Sequence, residues 1–141
     1  MTIAPPQLHH LALTVRDLDA AIDWYGKVFG LAHFMDVPHE GGIGVGLADP
    51  KLECVIVLHR HDDTPDEPFH ETRTGLDHVG LRVATRDDLV AWQDHLESNG
   101  VVRTTRADRP LTQSPIADEP YGSVLVFRDP DNIQLELIAL E

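Results

Sequence analysis

Two short stretches decide the fold: residues 10–15 read HLALTV and residues 78–83 read HVGLRV. In each stretch apolar side chains alternate with others, which is typical of a strand that buries one face. Each stretch leads into a segment whose apolar residues recur at helical spacing, 18–29 in the first case and 87–97 in the second. We therefore interpret both stretches as the strand–helix start of a structural module.

The two starts repeat each other at a constant offset of 68 residues. This offset pairs His10 with His78, Val15 with Val83 and Trp24 with Trp92. A histidine, a tryptophan and the apolar pattern all agree at one offset, which indicates an internal duplication.

Capping residues mark the ends of both predicted helices. Asp17 and Thr85 stand where short polar side chains accept hydrogen bonds from the first turn of a helix. Gly30 and Gly100 stand where helices end, because glycine adopts the left-handed backbone conformation without steric cost.

Three further strands are predicted after each helix. They lie at 32–37, 43–47 and 52–58 in the first module, and at 101–105, 123–128 and 133–138 in the second. Asp-Pro turns at 48–51 and 129–132 separate the last two strands of each module. The sequence thus predicts a single α+β domain over residues 1–141, with βαβββ modules at 8–60 and 75–141 and a linker at 61–74. The stretch 108–120 is expected to be a mobile loop that could cover a site.

Composition limits the classes of function. The net charge is −13 at pH 7, and such a negative field argues against nucleic-acid binding. Cys54 is the only cysteine, so no intramolecular disulfide can form. Residues 1–6 lack the features of a secretory signal, and no apolar run approaches the ~20 residues that span a bilayer. We therefore expect a cytoplasmic protein that binds neither nucleic acids nor membranes.

Three predicted strands each place one potential metal ligand on the face away from the helices. Because successive side chains of a strand point to opposite faces, His10, His78 and Glu136 lie opposite the apolar residues of their strands. Two imidazoles and one carboxylate form a facial triad that leaves coordination positions open for substrate or oxygen. If the sheet curls around this face, the three side chains can converge on one divalent ion.

The opening HHLALTVRDLDAAIDWYGKVFGL (residues 9–31) and the ending FRDPDNIQLELI (residues 127–138) resemble the vicinal oxygen chelate superfamily. This superfamily includes glyoxalase I, methylmalonyl-CoA epimerase, fosfomycin-resistance enzymes, extradiol dioxygenases and bleomycin-resistance proteins. The resemblance extends over about residues 8–140. It implies paired βαβββ modules that form a cupped mixed sheet with the helices outside, known as the glyoxalase/bleomycin resistance/dioxygenase fold.

The resemblance also implies a ligand set and a mode of assembly. The family's metal ligands map onto His10, His78 and Glu136, and the neighbouring His9 points to the helix side by alternation. A divalent ion is expected, with Fe(II) or Mn(II) favoured over Ni(II), Zn(II) and Co(II). The implied partners are a small-molecule substrate and a second copy of the chain in a homodimer, and in some members the ligands come from two subunits.

One position departs from the pattern of glyoxalase I and the epimerase. Both use a fourth ligand, Glu or Gln, from the last strand of the first module. This sequence has Val57 at that position, which is the one that aligns with Glu136 of the second module. A valine side chain neither binds a metal nor moves a proton. This favours dioxygenase chemistry over lyase or isomerase chemistry. The alternative to an enzyme is a non-catalytic binding protein that sequesters a drug, as bleomycin-resistance members do.

Four other side chains are candidates near such a site. Arg82 shares the face of His78 and could bind an anionic oxygen of the substrate, or pair with a nearby acid. Tyr121 could hydrogen-bond a ligand oxygen or pack at the sheet edge, and Phe127 could contact a flat substrate or belong to the core. His59 could act as acid or base, although the sequence favours a surface histidine at the end of a strand, and its neighbours His61, Asp62, Asp63 and His70 are interpreted as solvated surface.

Overall fold

The computed structural model describes residues 2–140, which form two compact units that divide between Asp66 and Glu67. The predicted modules fall in the first and second unit, and the predicted linker spans the division, while residues 1 and 141 of the predicted domain lie outside the described part. No helix in the described part of the chain is long and apolar enough to cross a membrane. The α+β class with two βαβββ-type modules is confirmed, and each unit contains one helix and one mixed sheet.

The first unit has the predicted order of elements. It contains β1 (Leu11–Thr14), α1 (Leu18–Phe29), β2 (Ala32–His39), β3 (Gly42–Ala48) and β4 (Val55–His61). The strand order is β1-β4-β3-β2, with β1 parallel to β4 and the other pairs antiparallel. The helix packs on β3 and β4, where Leu47, Ile56 and Leu58 are buried.

The second unit repeats this plan with two additional strands. It contains β5 (Val79–Arg82), α2 (Arg86–Ser98), β6 (Val102–Arg103), β7 (Thr112–Gln113), β8 (Ala117–Glu119), β9 (Gly122–Arg128) and β10 (Gln134–Ala139). The strand order is β5-β10-β9-β7-β6, and β8 pairs with β9. Again the first strand of the module lies parallel to the last.

The interpretation of residues 108–120 as a loop is wrong where β7 and β8 form. The Gln113 side chain is fully buried and donates hydrogen bonds to the carbonyl oxygens of Gln93 and Val101, both at 3.0 Å. These bonds satisfy amide N–H groups that would otherwise be costly to bury, and they hold β7 in the sheet.

Local capping agrees with the sequence. Asp17 accepts a hydrogen bond from the backbone N–H of Ala20 at 3.0 Å, and Thr85 forms a reciprocal capping box with Asp88. Gly30 ends α1 with a φ of 68°, a conformation that favours glycine.

The predicted boundaries of β4 are wrong by three residues, because the turn before it is longer than four residues. The Asp49 carboxylate accepts hydrogen bonds from the backbone N–H groups of Lys51 at 3.2 Å and Cys54 at 2.7 Å. Leu52 adopts a φ of 57° within this turn. The strand therefore begins at Val55, and His59 and His61 belong to it.

A buried arginine ties residues of the predicted linker to the second sheet. Arg128 has a side chain that is 5% exposed, and its guanidinium donates to both carboxylate oxygens of Glu71, at 2.9 and 3.2 Å. It also donates to the carbonyl oxygens of Ala107 and Asn132. The hydrogen bonds from Arg128 lower the pKa of Glu71 to about 2. Such bidentate pairs combine charge with geometric specificity.

We predict that Glu71→Gln lowers the free energy of unfolding at neutral pH by about 2 kcal/mol, because it leaves Arg128 buried without its countercharge. The pKa of Glu71 is depressed in the folded state, so its contribution is present above pH ~4.5 and is lost as the pH falls toward ~2. Urea unfolding between pH 7 and pH 2 should therefore show a shallower acid loss in the variant.

Glu67→Gln is the matched control. Glu67 pairs with Arg73 at 2.9 Å on the same segment, but both side chains are at least half exposed. Its removal should change stability by less than ~0.5 kcal/mol. An equal loss in the two variants would contradict the importance of the Arg128 pair.

Candidate metal centre

The second sheet brings two of the predicted ligands together. In the parallel pair of β5 and β10, Glu136 lies opposite Gly80, and His78 stands immediately before β5. The His78 Nε2 and Glu136 Oε2 atoms are 4.0 Å apart. A divalent ion lies about 2.1 Å from such atoms, so it fits between them at separations up to roughly 4.2 Å. A Cβ at Gly80 would meet no atom within 4 Å, so the space beside Glu136 is open.

Asp77 orients the His78 ring. The His78 Nδ1 atom lies 2.7 Å from an oxygen of the Asp77 carboxylate, which can only accept a hydrogen bond when ionised. Nδ1 therefore carries the proton in the neutral ring, and the lone pair is on Nε2, the atom that faces Glu136. A carboxylate that accepts from the distal N–H is the usual support for a histidine that binds a metal.

A polar chain connects this pair to Arg128. The Gln134 side-chain amide donates to Asp77 at 3.3 and 3.4 Å, and its oxygen accepts from Arg128 at 3.2 Å. Neither Asp77 nor Gln134 was predicted from the sequence as a residue of the site. The only available signal for Asp77 was its position next to His78, and Gln134 requires knowledge of the strand register.

His10 lies in the first unit, immediately before β1, and is exposed. Its Nδ1 atom is 2.8 Å from the Nδ1 of His9. The predicted alternation in β1 is confirmed, since Leu13 is buried whereas Ala12 and Thr14 are exposed. Within residues 2–140, no group of three or more His, Cys, Asp or Glu side chains is already arranged to hold a metal ion.

Val57 occupies the position in the first sheet that Glu136 occupies in the second. β4 pairs with β1 so that Val57 lies opposite Ala12, and β10 pairs with β5 so that Glu136 lies opposite Gly80. Ala12 and Gly80 are themselves separated by the duplication offset of 68 residues. The alignment predicted from sequence therefore agrees with the registers, and the equivalent position of the first module has no carboxylate.

The other candidate residues of the second unit differ in burial. Arg82 ends β5 and is exposed, and it forms no ion pair with any residue that the structure describes. Tyr121 is 61% exposed in the turn between β8 and β9. Of the two interpretations of Phe127, as a substrate contact or as part of the core, the structure supports the second. Phe127 pairs with Leu135 in register and is fully buried on the apolar face of the sheet, opposite to the face of Glu136.

His59 is half-buried on β4, on the same face as Val57. Its Nδ1 atom lies 3.2 Å from Nε2 of His39, and its ring stacks on that of His61 at a centroid distance of 6.0 Å. Burial, followed by the neighbouring His39, His61 and His10, lowers the pKa of His59. The sequence assigned His61 to solvated surface, whereas the structure places it at the end of β4. The contact with His39 was missed because His39 comes from a different strand.

The chain matches known proteins in both sequence and fold. Residues 7–137 match the model of the Glyoxalase/Bleomycin resistance protein/Dioxygenase superfamily. The uncharacterized protein YaeR of Escherichia coli strain K12 is 30% identical over 133 residues, which cover 93% of this chain and 94% of YaeR. A glyoxylase/bleomycin resistance protein/dioxygenase domain from Frankia sp. EAN1pec is also 30% identical, with a TM-score of 0.83 over 98% of this chain and 94% of that domain.

More distant solved structures share the fold. A point mutant of the fosfomycin resistance protein FosX from Listeria monocytogenes, complexed with Mn(II) and 1S,2S-dihydroxypropylphosphonic acid, is 16% identical with a TM-score of 0.68. The match covers 98% of this chain and 93% of FosX. TnmS3, an antibiotic binding protein from Streptomyces sp. CB03234, is 21% identical with a TM-score of 0.70, over 99% of this chain and all of TnmS3.

We predict that neutral His78 carries its proton on Nδ1, against the usual preference for Nε2. Long-range ¹H–¹⁵N spectra of the metal-free protein at about pH 8.5, where imidazoles are neutral, should report this tautomer. In Asp77→Ala the Nε2–H form should become the major one, whereas the exposed His70 should be unaffected. An Nε2–H tautomer of His78 in the unmodified protein would contradict the orienting role of Asp77.

Proposed function

Because this chain belongs to the Glyoxalase/Bleomycin resistance protein/Dioxygenase superfamily, many of whose members are metal-dependent enzymes, we propose that it is an enzyme that uses a divalent metal. Its substrate is a small molecule that chelates the ion through oxygen atoms. The proposed ligands are His78, Glu136 and His10.

One observation carries the proposal: an oriented imidazole and a carboxylate face each other with room for an ion between them. The 4.0 Å separation and the Asp77 support apply to His78 and Glu136. His10 is proposed as the third ligand because it precedes β1 as His78 precedes β5, at the duplication offset. It would come from the same chain or from the second chain of a homodimer.

Two imidazoles and one carboxylate suit Fe(II) or Mn(II), with Ni(II), Zn(II) and Co(II) as weaker alternatives. The Mn(II) of the FosX complex belongs to a protein that shares this fold. A bound ion would polarise the oxygens of a chelating substrate or provide a position for dioxygen. The net charge of −13 favours attraction of cations in general.

Three other side chains are proposed to act on the substrate. Arg82 is exposed and unpaired within the described residues, so its guanidinium is available to an anionic substrate oxygen. Tyr121 would donate a hydrogen bond to a ligand oxygen. His59, half-buried on the first sheet, would accept or donate a proton.

Dioxygenase chemistry is proposed ahead of lyase or isomerase chemistry. An isomerase of the glyoxalase type needs a base at the substrate carbon, and Val57 supplies none at the position equivalent to Glu136. The second candidate function is antibiotic sequestration without catalysis. The fold shared with TnmS3 supports it, but it gives no role to an oriented His78 beside Glu136.

Metal analysis tests the proposal. Protein prepared without chelators and reconstituted with Fe(II) or Mn(II) should bind one ion per chain. We predict that His78→Ala, Glu136→Gln and His10→Ala each lower the affinity at least ~100-fold, because each removes one of three ligands. His95→Ala, an exposed histidine on α2, is the control and should bind as the parent does. Stoichiometric binding of Fe(II) or Mn(II) that survives His78→Ala would refute the site.

Mixing two variants decides which chain supplies His10. If the ligands come from two chains, a mixture of His10→Ala and Glu136→Gln proteins regains one intact site in each mixed dimer. If they come from one chain, the mixture binds no better than its components.

The reaction is tested by oxygen uptake with catechol-type substrates. The Fe(II)-loaded protein should consume oxygen, and Glu136→Gln should reduce the rate to the background level because it disrupts the ligand set. Tight binding of an antibiotic by metal-free protein, with no oxygen consumption on any catechol, would instead favour the sequestration function.

A further inference from the structure

Three histidines gather on the first sheet. His39 ends β2, and His59 and His61 belong to the last part of β4. The ring centroid of His39 is 5.3 Å from that of His59 and 5.2 Å from that of His61. We call these three residues the histidine cluster.

The cluster forms because the strand between its members has no side chains on this face. Gly42 on β3 lies in register with both His39 and His61, and Gly44 lies in register with His59. A Cβ at Gly44 would lie 2.6 Å from Cε1 of His59, so any larger residue would displace that ring. The two glycines thus leave room for imidazoles from β2 and β4 to meet over β3.

Backbone hydrogen bonding orients His39. Its Nδ1 atom lies 3.1 Å from the carbonyl oxygen of Glu40, which can only accept. The neutral ring therefore has its lone pair on Nε2, which accepts a hydrogen bond from Nδ1–H of His59 at 3.2 Å, and an ion bound between the two nitrogens would take the place of this proton. Two nitrogens bound to one tetrahedral ion at about 2.1 Å lie roughly 3.4 Å apart, so this pair already has near-ligand spacing.

We propose that the histidine cluster is a second metal site, which binds a late transition ion such as Zn²⁺, Ni²⁺ or Cu²⁺ through three imidazoles. His39 and His59 form the preformed pair, and rotation of the more exposed His61 ring adds the third ligand. Imidazole ligands without a carboxylate select these ions over Mg²⁺ or Ca²⁺. Water fills the remaining position, because the site faces solvent at His61.

Metal binding here excludes the acid–base role proposed for His59. A lone pair bound to metal cannot accept a proton, so an ion in the histidine cluster would block that step. The histidine cluster shares no ligand with the proposed centre of His78, Glu136 and His10, so either proposal can fail without the other.

The test uses the full chain without a polyhistidine tag and with His78→Ala and Glu136→Gln, so that the other proposed centre is removed. Calorimetric titration with Zn²⁺ should give one saturable site per chain. We predict that adding His39→Ala or His61→Ala weakens binding at least ~10-fold. His33→Ala is the matched control, because His33 is an exposed histidine of the same β2 strand that pairs with Asp36.

Gly44→Ala provides a variant that keeps all three imidazoles. Its methyl group would displace the His59 ring, so Zn²⁺ affinity should fall although no ligand is lost. Thermal unfolding confirms that each variant is folded, and Co²⁺ absorption in the visible range reports tetrahedral nitrogen coordination. The proposal would be overturned if the chain with only His78→Ala and Glu136→Gln showed no saturable Zn²⁺ site. It would also be overturned if adding His39→Ala or His61→Ala left the Zn²⁺ affinity of that chain unchanged.

Discussion

In each module the first strand lies parallel to the last, and the candidate site depends on the register of that pair. A parallel pair requires a crossover connection, which the helix and the intervening strands provide. The register places Gly80 beside Glu136 in the second sheet and Ala12 beside Val57 in the first. A shift of one residue would turn Glu136 toward the helix and bring Leu135 or Leu137 to the polar face.

The second constraint is the orientation of the His78 ring, which depends on hydrogen bonds made by other residues. Asp77 accepts from the imidazole, Gln134 donates to Asp77, and Arg128 donates to Gln134. Arg128 is held in turn by Glu71, a residue of the predicted linker. A segment that the sequence assigns to a solvated connection thereby supports the geometry of the candidate metal ligand.

The features that the sequence predicted well are the local ones. Alternation in β1 and β5, the helical spacing of α1 and the caps at Asp17 and Thr85 all depend on neighbouring residues. Predictions failed where the local structure depends on contacts with residues that lie farther away in the sequence. The end of the turn before β4 depends on the Asp49 carboxylate, and β7 depends on partners of Gln113 from other parts of the chain.

The residues of the candidate site likewise differ in whether a local pattern or a distant contact reveals them. His78 and Glu136 could be predicted because each lies on a recognisable strand with one apolar face. Gln134 could not be predicted as a support, since its contacts with Asp77 and Arg128 follow from the pairing of three strands. His39 joins His59 only because β3 has glycines at the intervening positions, and a single sequence does not indicate which strands are neighbours.

Every strand pairing in the two sheets lies within one module. The hydrogen bonds of the first sheet close among β1 to β4, and those of the second close among β5 to β10. Each sheet can therefore form from its own stretch of chain during folding, without waiting for strands of the other module.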